Sequence, residues 1–251
     1  LLRVHGVFDL YWSGAWDEAV AVADELLGSG LAALPSKPMT RPAAFVHACR
    51  GRIRLARGDL AGAITDAERA GELGRGMATA ISSQFILALR AQIAIAIGRD
   101  GLAAELVERL LGRAGGVCVS PHLGIDLAIT LASTGHSEPA LAGFAPSPWL
   151  RAVRQCLAGD QLGAAETYAR IGSVPDQAQA RLWAARDLAA EDPVEAARQH
   201  TIGSDLAAGM GATRWLDLHA TERPIARPTC TAGRHHQDCA WHGRRPEKIS
   251  T

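Results

Sequence analysis

The residue types best suited to chemistry gather near the C-terminal end of the chain. Cys230, His235, His236, Cys239 and His242 are all zinc-ligand types. Their spacing, Cys-x4-His-His-x2-Cys-x2-His, lacks the paired Cys-x2-Cys and His-x3-His units of structural fingers. The stretch around them, ERPIARPTCTAGRHHQDCAWHGRRPEKIST, contains three prolines and no helical period. A metal site needs neighbours that fold around the ion, so this stretch reads as a disordered tail and no metal ligand is assigned.

Further in, Arg50, Arg54 and Arg57 recur at i, i+4 and i+7, one face of a helix that could hold a phosphate. Asp59, Asp66 and Glu68 follow on the next segment as ready partners. No aromatic or lysine is interleaved, so the stripe reads as a partly paired, solvated face. His122 and Asp126, four apart, have the geometry of an acid–base pair but no nucleophile near them in sequence; a surface hydrogen bond is the plainer reading. Trp149, Trp183 and Trp215 read as packing between helices rather than a ligand cage. No G-x-x-x-x-G-K-[ST], G-x-S-x-G or H-E-x-x-H occurs, and Lys37 sits in Ser-Lys-Pro without a glycine-rich lead. The expectation is a chain that is not an enzyme in its own right, with no catalytic or cofactor-binding residue.

Charge points the same way. Residues 222–251 hold six Lys/Arg against three Asp/Glu, and the remaining 221 residues hold 20 against 23. A slightly acidic body gives no electrostatic reason to expect nucleic acid or an anionic membrane as partner. The five cysteines are odd in number and widely spaced, which fits free thiols in a reducing cytoplasm better than a disulfide framework. No stretch is apolar for 18 residues and no signal peptide is visible. The chain opens at Leu1 inside a helical pattern, so a fragment of a longer protein is expected.

The elements that must position these residues follow one repeated mark. Gly58 precedes Leu60, Ala63, Ala67 and Ala70; Gly14, Gly98, Gly135 and Gly159 are each followed five residues on by alanine (Ala19, Ala103, Ala140, Ala164), and Glu191 stands in the glycine place before Ala196. A turn glycine followed by small residues at helical offsets lets two helices approach closely. The periodicity predicts outgoing helices over 2–13, 43–57, 82–97, 122–134, 149–158 and 178–190. It predicts return helices over 16–27, 60–73, 102–111, 161–171 and 194–208, with a short return after Gly135 and a capping helix near 213–220. Long connections are expected over 28–42 and 114–121. The marks lie 24 to 44 residues apart, around the tetratricopeptide period of 34. Hairpins of this kind cannot bury their apolar faces alone and must stack. The expected fold is therefore all-α: an irregular tetratricopeptide-like helical-hairpin solenoid over 1–221, about six hairpins, with a groove lined by the outgoing helices, followed by the tail 222–251.

The pieces WSGAWDEAVAVADELL, RIRLARGDLAGAITDAERAGELGR and WLRAVRQCLAGDQLGAAETYARIGSVPDQAQARLWAARDL, with GATRWLDLHA after them, carry a resemblance. Residues 1–220 resemble the C-terminal repeat region of large bacterial STAND-type signalling ATPases, whose chains also carry an adenylate/guanylate cyclase or a LuxR-type DNA-binding domain. The resemblance implies a non-catalytic interaction or sensor scaffold whose partner is the ATPase module of the parent chain. A metabolite-binding, inducer-sensing region of a LuxR-type regulator is the alternative. The nucleotide and metal residues of that family lie in domains absent from this chain, so none is carried over. The tail departs from the family's usual helical ending.

Overall fold

The structure, a computed structural model, describes residues 2–29, 37–74, 80–112 and 124–221. These residues form an all-helical protein with no β-strand among them. The helices are α1 (Leu2–Trp12), α2 (Trp16–Gly28), α3 (Lys37–Ala56), α4 (Leu60–Leu73), α5 (Ala80–Ala96), α6 (Asp100–Leu111), α7 (Gly124–Ser133), α8 (Pro148–Leu157), α9 (Gln161–Ile171), α10 (Val174–Leu188), α11 (Pro193–Gly209) and α12 (Thr213–Thr221). A 3-10 helix, Glu138–Leu141, is the short return after Gly135. None of the described helices is long and apolar enough to cross a membrane.

The repeated mark works as the spacing predicts. Gly14, Gly58, Gly98, Gly135 and Gly159 all have φ between 70° and 85°, the left-handed region that only glycine enters cheaply. After two of them an aspartate caps the return helix: Asp59 accepts from the Gly62 amide and Asp160 from the Gly163 amide, both at 2.9 Å. At the Glu191 mark Asp192 accepts from the Glu195 amide. The alanines five residues on are then buried at the hairpin crossings, with Ala19, Ala63, Ala103 and Ala164 fully so. Ala140 is half-buried, because its return element is a 3-10 turn.

Two helices, α3 and α10, begin well before the pattern indicates, at Lys37 and Val174. α3 starts at Lys37, so Pro38 falls in a first turn where no amide donor is needed, and only Pro42 removes an internal bond. α10 starts at Val174 with Pro175 in its first turn, where the ring suits the helix. The connection 114–121, His122 and the tail 222–251 lie outside the described residues, and with them the zinc-ligand types and the expected partner of Asp126.

The larger difference is in how the stack ends. The outgoing helices do not line an open groove. α3 packs on α1 and α5, α7 on α5, and α10 on both α7 and α1, so five helices form a closed ring. Val174 and Met210 press on Gly14 in the first turn, and Trp215 of α12 meets Trp16 of α2 edge-on at 5.4 Å. Arg57 donates to the Met210 carbonyl at 3.0 and 3.2 Å, and Thr213 Oγ1 donates to the Arg57 carbonyl at 3.1 Å. Trp12 of α1 lies 6.0 Å from Trp149 of α8. Small residues also set the crossing within the last hairpin: at Gly203 of α11 an added Cβ would sit 2.9 Å from Leu182 and 3.1 Å from the Ala178 carbonyl of α10.

Two apolar clusters result. One joins α1 to α5 with Ala178, Leu182, Ala207, Met210 and Ala212. The other joins α5 to α10 through Leu106, Leu127, Leu131, Leu150 and Tyr168. α5 and α10 supply residues to both, so they are the shared walls between the two bodies.

Candidate functional site

Polar side chains occupy the seam where the two clusters meet. Arg52 projects from the apolar face of α3, with its guanidinium carbon 4.9 Å from the Phe85 ring centroid on α5 and 5.6 Å from that of Tyr11 on α1. It forms an ion pair with Asp126 of α7. Gln92 of α5 donates its amide to the other oxygen of Asp126. Asp176, in the first turn of α10, accepts from the Ser173 hydroxyl and, at 2.8 Å, from the Ile125 amide at the start of α7. That amide belongs to the helix end that cannot bond within its own helix, so Asp176 caps α7 from another hairpin. Arg52, Asp126 and Asp176 are each only 5–6% exposed.

Two carboxylates therefore share one guanidinium in a buried space. Burial pushes the Asp176 carboxyl above the ordinary aspartate range, with the Ser173 hydroxyl, the Ile125 amide and Arg52 only partly opposing it. The Tyr11 phenol rises as well, again through burial. Cys49 beside it is buried and its thiol is pushed up to about 12, so it is an inert core residue rather than a nucleophile.

A second polar cluster ties α2, α3 and α4 together. Asp66, fully buried on α4, accepts from His47 Nδ1 (2.7 Å), Arg50 Nε and Nη2 (2.9 and 2.6 Å) and Arg54 Nη1 (2.8 Å). Arg50 also reaches Asp24 on α2, and Arg54 lies 3.7 Å from Asp59. Burial pushes the Asp66 carboxyl up, but His47, Arg50 and Arg54 outweigh it and the net displacement is downward.

The candidates read from residue spacing sort out accordingly. The arginine stripe is paired as expected with Asp59 and Asp66, but it is no solvated face: its donors are taken up by carboxylates and by the Met210 carbonyl, leaving it poorly suited to phosphate. Arg57, expected on the outer stripe, is a closure residue held also by Asp17 at 2.7 Å. Glu68 does not enter the network. Trp149 packs between Trp12 and Tyr168, Trp215 against Trp16, and Trp183 lies against the second cluster with Arg186 over its ring. These are the inter-helix contacts expected of them. No group of three or more His, Cys, Asp or Glu among the described residues could hold a metal ion.

Arg52, Gln92, Ser173 and Asp176 are the residues that sequence reasoning passed over. Gln92 had a signal, a polar side chain amid apolar residues in AQIAIA, whereas Arg52 in CRGRIRLA is masked by Arg50 and Arg54, and Ser173 and Asp176 look like ordinary helix-start residues. Hydrophobic periodicity treats such residues as noise, and only ring closure brings them together. No family model matches the chain, and no curated protein or solved structure matches it.

Proposed function

We propose that the chain is a non-catalytic sensor and interaction scaffold, the repeat region of a larger signalling ATPase with a cyclase or DNA-binding output. The observation that carries the reading is the closed ring with a polar seam. Two apolar clusters that share the walls α5 and α10 and meet at buried polar contacts form an element whose arrangement a partner can bias if it binds one arrangement more tightly. With the inner helices packed against one another, the faces left for a partner are those of the return helices α2, α4, α6, α9 and α11. The resemblance of residues 1–220 to repeat regions of that family supplies the partner: the ATPase module of the parent chain. The two buried thiols among the described residues, Cys49 and Cys156, suit a reducing cytoplasm.

The test is to mix the purified chain with the separately expressed ATPase module of the parent protein. The expected result is a complex at micromolar concentration and a fall in ATP turnover, with no turnover by the chain alone. Absence of binding between two folded partners contradicts the reading.

A second reading places a metabolite inducer at the seam. It is favoured by the charged groups that converge there: a buried site with few, well-placed polar groups is how small molecules are recognised. A saturable rise in Tm with a small molecule, in the absence of the ATPase module, separates it from the first.

A further inference from the structure

We propose that the face of α10 between α9 and α11 is a docking site for an acidic segment of a partner protein, whose carboxylate pairs with the Arg181 guanidinium. The proposal rests on the reading of the chain as an interaction scaffold and gives the docking segment its chemistry.

The argument starts from a register that three hairpins share. Asp59, Asp160 and Asp192 cap α4, α9 and α11. Seven residues after each cap, about two helical turns, stand Asp66, Thr167 and Gln199. All three are buried although polar. Each bonds to the outgoing helix of its own hairpin. Asp66 accepts from Arg50 and Arg54 of α3, Thr167 donates to Gln155 of α8, and Gln199 accepts from Arg181 Nη1 of α10 at 2.5 Å.

The last hairpin keeps this position but drops its charge. At α4 a carboxylate neutralises the arginines it holds, whereas at α11 an amide does the holding. Gln177, one turn before Arg181 on α10, turns its amide oxygen to the guanidinium and accepts from Nε at 3.1 Å and Nη2 at 3.3 Å. Three of the five N–H groups of the guanidinium are thus met, each by a neutral oxygen. Among the described residues no carboxylate is in contact with it. A partner carboxylate would add the missing charge, and charge-assisted bonds to a guanidinium fork are stronger than those to amides.

The neighbouring charges leave that place open. Glu166 of α9 and Glu195 and Arg198 of α11 all act on Arg181 from a distance. Glu195 is already committed: both its oxygens accept from Arg198, and one also accepts from the Gln199 amide. Burial disfavours the Arg181 charge, and Arg198 adds to that, so the guanidinium lies below its ordinary value despite the two glutamates. Exposed Glu166 is the carboxylate on these helices best placed to compete with a partner.

The test mixes the full chain with a fluorescein-labelled oligo-glutamate peptide at low salt and follows anisotropy, with oligo-glutamine as the uncharged control. Saturable binding of oligo-glutamate is expected. Arg181→Gln should weaken it about tenfold or more, the loss that goes with a hydrogen bond between charged groups. Gln199→Glu places inside the protein the carboxylate that Asp66 provides in α4, and should lose binding as well. Glu166→Gln should bind more tightly. Arg69→Gln, which removes an exposed arginine paired with Glu72 on α4, should bind like wild type. Circular dichroism checks that each variant is folded. A wild-type chain that binds oligo-glutamate no better than oligo-glutamine overturns the proposal. So does equal affinity in wild type and Arg181→Gln, and neither result depends on Gln199→Glu folding. The peptide is used without the ATPase module, so this outcome is separate from the test of the scaffold reading: a module that binds wild type and Arg181→Gln equally well would sink the docking site and leave the scaffold standing.

Discussion

Arg52→Ala is expected to destabilise the chain by about 3–5 kcal/mol, the range for breaking a buried ion pair by removing one partner. The loss is not that of one contact. Among the described residues Asp126 keeps only the Gln92 amide, Asp176 loses the cation that partly offsets its burial, and the Tyr11 and Phe85 rings lose the guanidinium lying over them. The cost should grow as pH rises, since Asp176 then ionises without the cation that partly offsets its burial. Urea unfolding followed by far-ultraviolet circular dichroism measures it. A double variant, Arg52→Leu with Asp126→Leu, should recover part of the loss, because an apolar pair needs no desolvation, while Asp176 stays without its cation and Gln92 without its acceptor. A single variant within about 0.5 kcal/mol of wild type, the range of ordinary surface changes, would mean that Arg52 is not buried against Asp126.

Asp66→Ala should fall in the same class, at about 3–5 kcal/mol, for a different reason. Here one carboxylate serves three cationic or polar groups from the neighbouring helix, and its removal strands His47, Arg50 and Arg54 at the α3–α4 crossing. Arg50 retains Asp24, and Arg54 retains the longer contact with Asp59, which places the expected value at the lower end. The sign of the acid response is also fixed. The Asp66 carboxyl is held below its ordinary value in the folded chain, so its contribution is present above the ordinary value and is lost as pH falls through the lowered one. Wild type should lose stability steeply in acid, and Asp66→Asn should lose less there while being weaker at neutral pH. Equal acid slopes in the two proteins would contradict the assignment.

Asp66 and Asp176 thus respond to acid in opposite directions, although both are buried aspartates. Asp66 is surrounded by cations, and Asp176 is bonded by neutral donors. Composition cannot reveal this, because the partners of each come from other helices.

The hairpins themselves were legible. A glycine that must adopt positive φ, an aspartate next to it that caps the return helix, and an alanine where the two helices cross form a local code. It located α4 and α9 to the residue. The starts of α3 and α10 were less so, because Pro38, Pro42 and Pro175 look like breakers when the first turn is not yet known. Closure was not legible at all. Whether successive hairpins leave a groove or come round to meet depends on small rotations at each crossing, summed over the array. Those rotations depend on details such as the absent Cβ at Gly203, which no pattern of apolar spacing records.

The candidate site shares that fate. Arg50, Arg54 and Arg57 could be placed on one helix face from their spacing, yet their roles differ. Arg50 and Arg54 serve a buried carboxylate in the neighbouring helix, and Arg57 serves a carbonyl at the far end of the chain. Asp126 drew attention through its spacing from His122, whereas its partners in the described structure are Arg52 and Gln92. In each case the residue type was readable, and its partner had to come from tertiary structure.

The seam exists only if the ring is closed, and a cross-link tests closure most directly. A Cβ built at Gly14 lies 3.4 Å from the Val174 Cβ, at the short edge of the separation that a disulfide spans, about 3.5–4.5 Å. The double variant Gly14→Cys, Val174→Cys, in a chain with Cys118, Cys230 and Cys239 changed to serine, is oxidised under native conditions and mapped by mass spectrometry of its peptides. The left-handed backbone at residue 14 disfavours a side chain by roughly 1–2 kcal/mol, which the closed ring must tolerate for the bond to form. A closed ring predicts one intramolecular disulfide between α10 and the first turn. An open array predicts free thiols at both positions, and that result, in a chain whose circular dichroism shows it folded, would contradict the account.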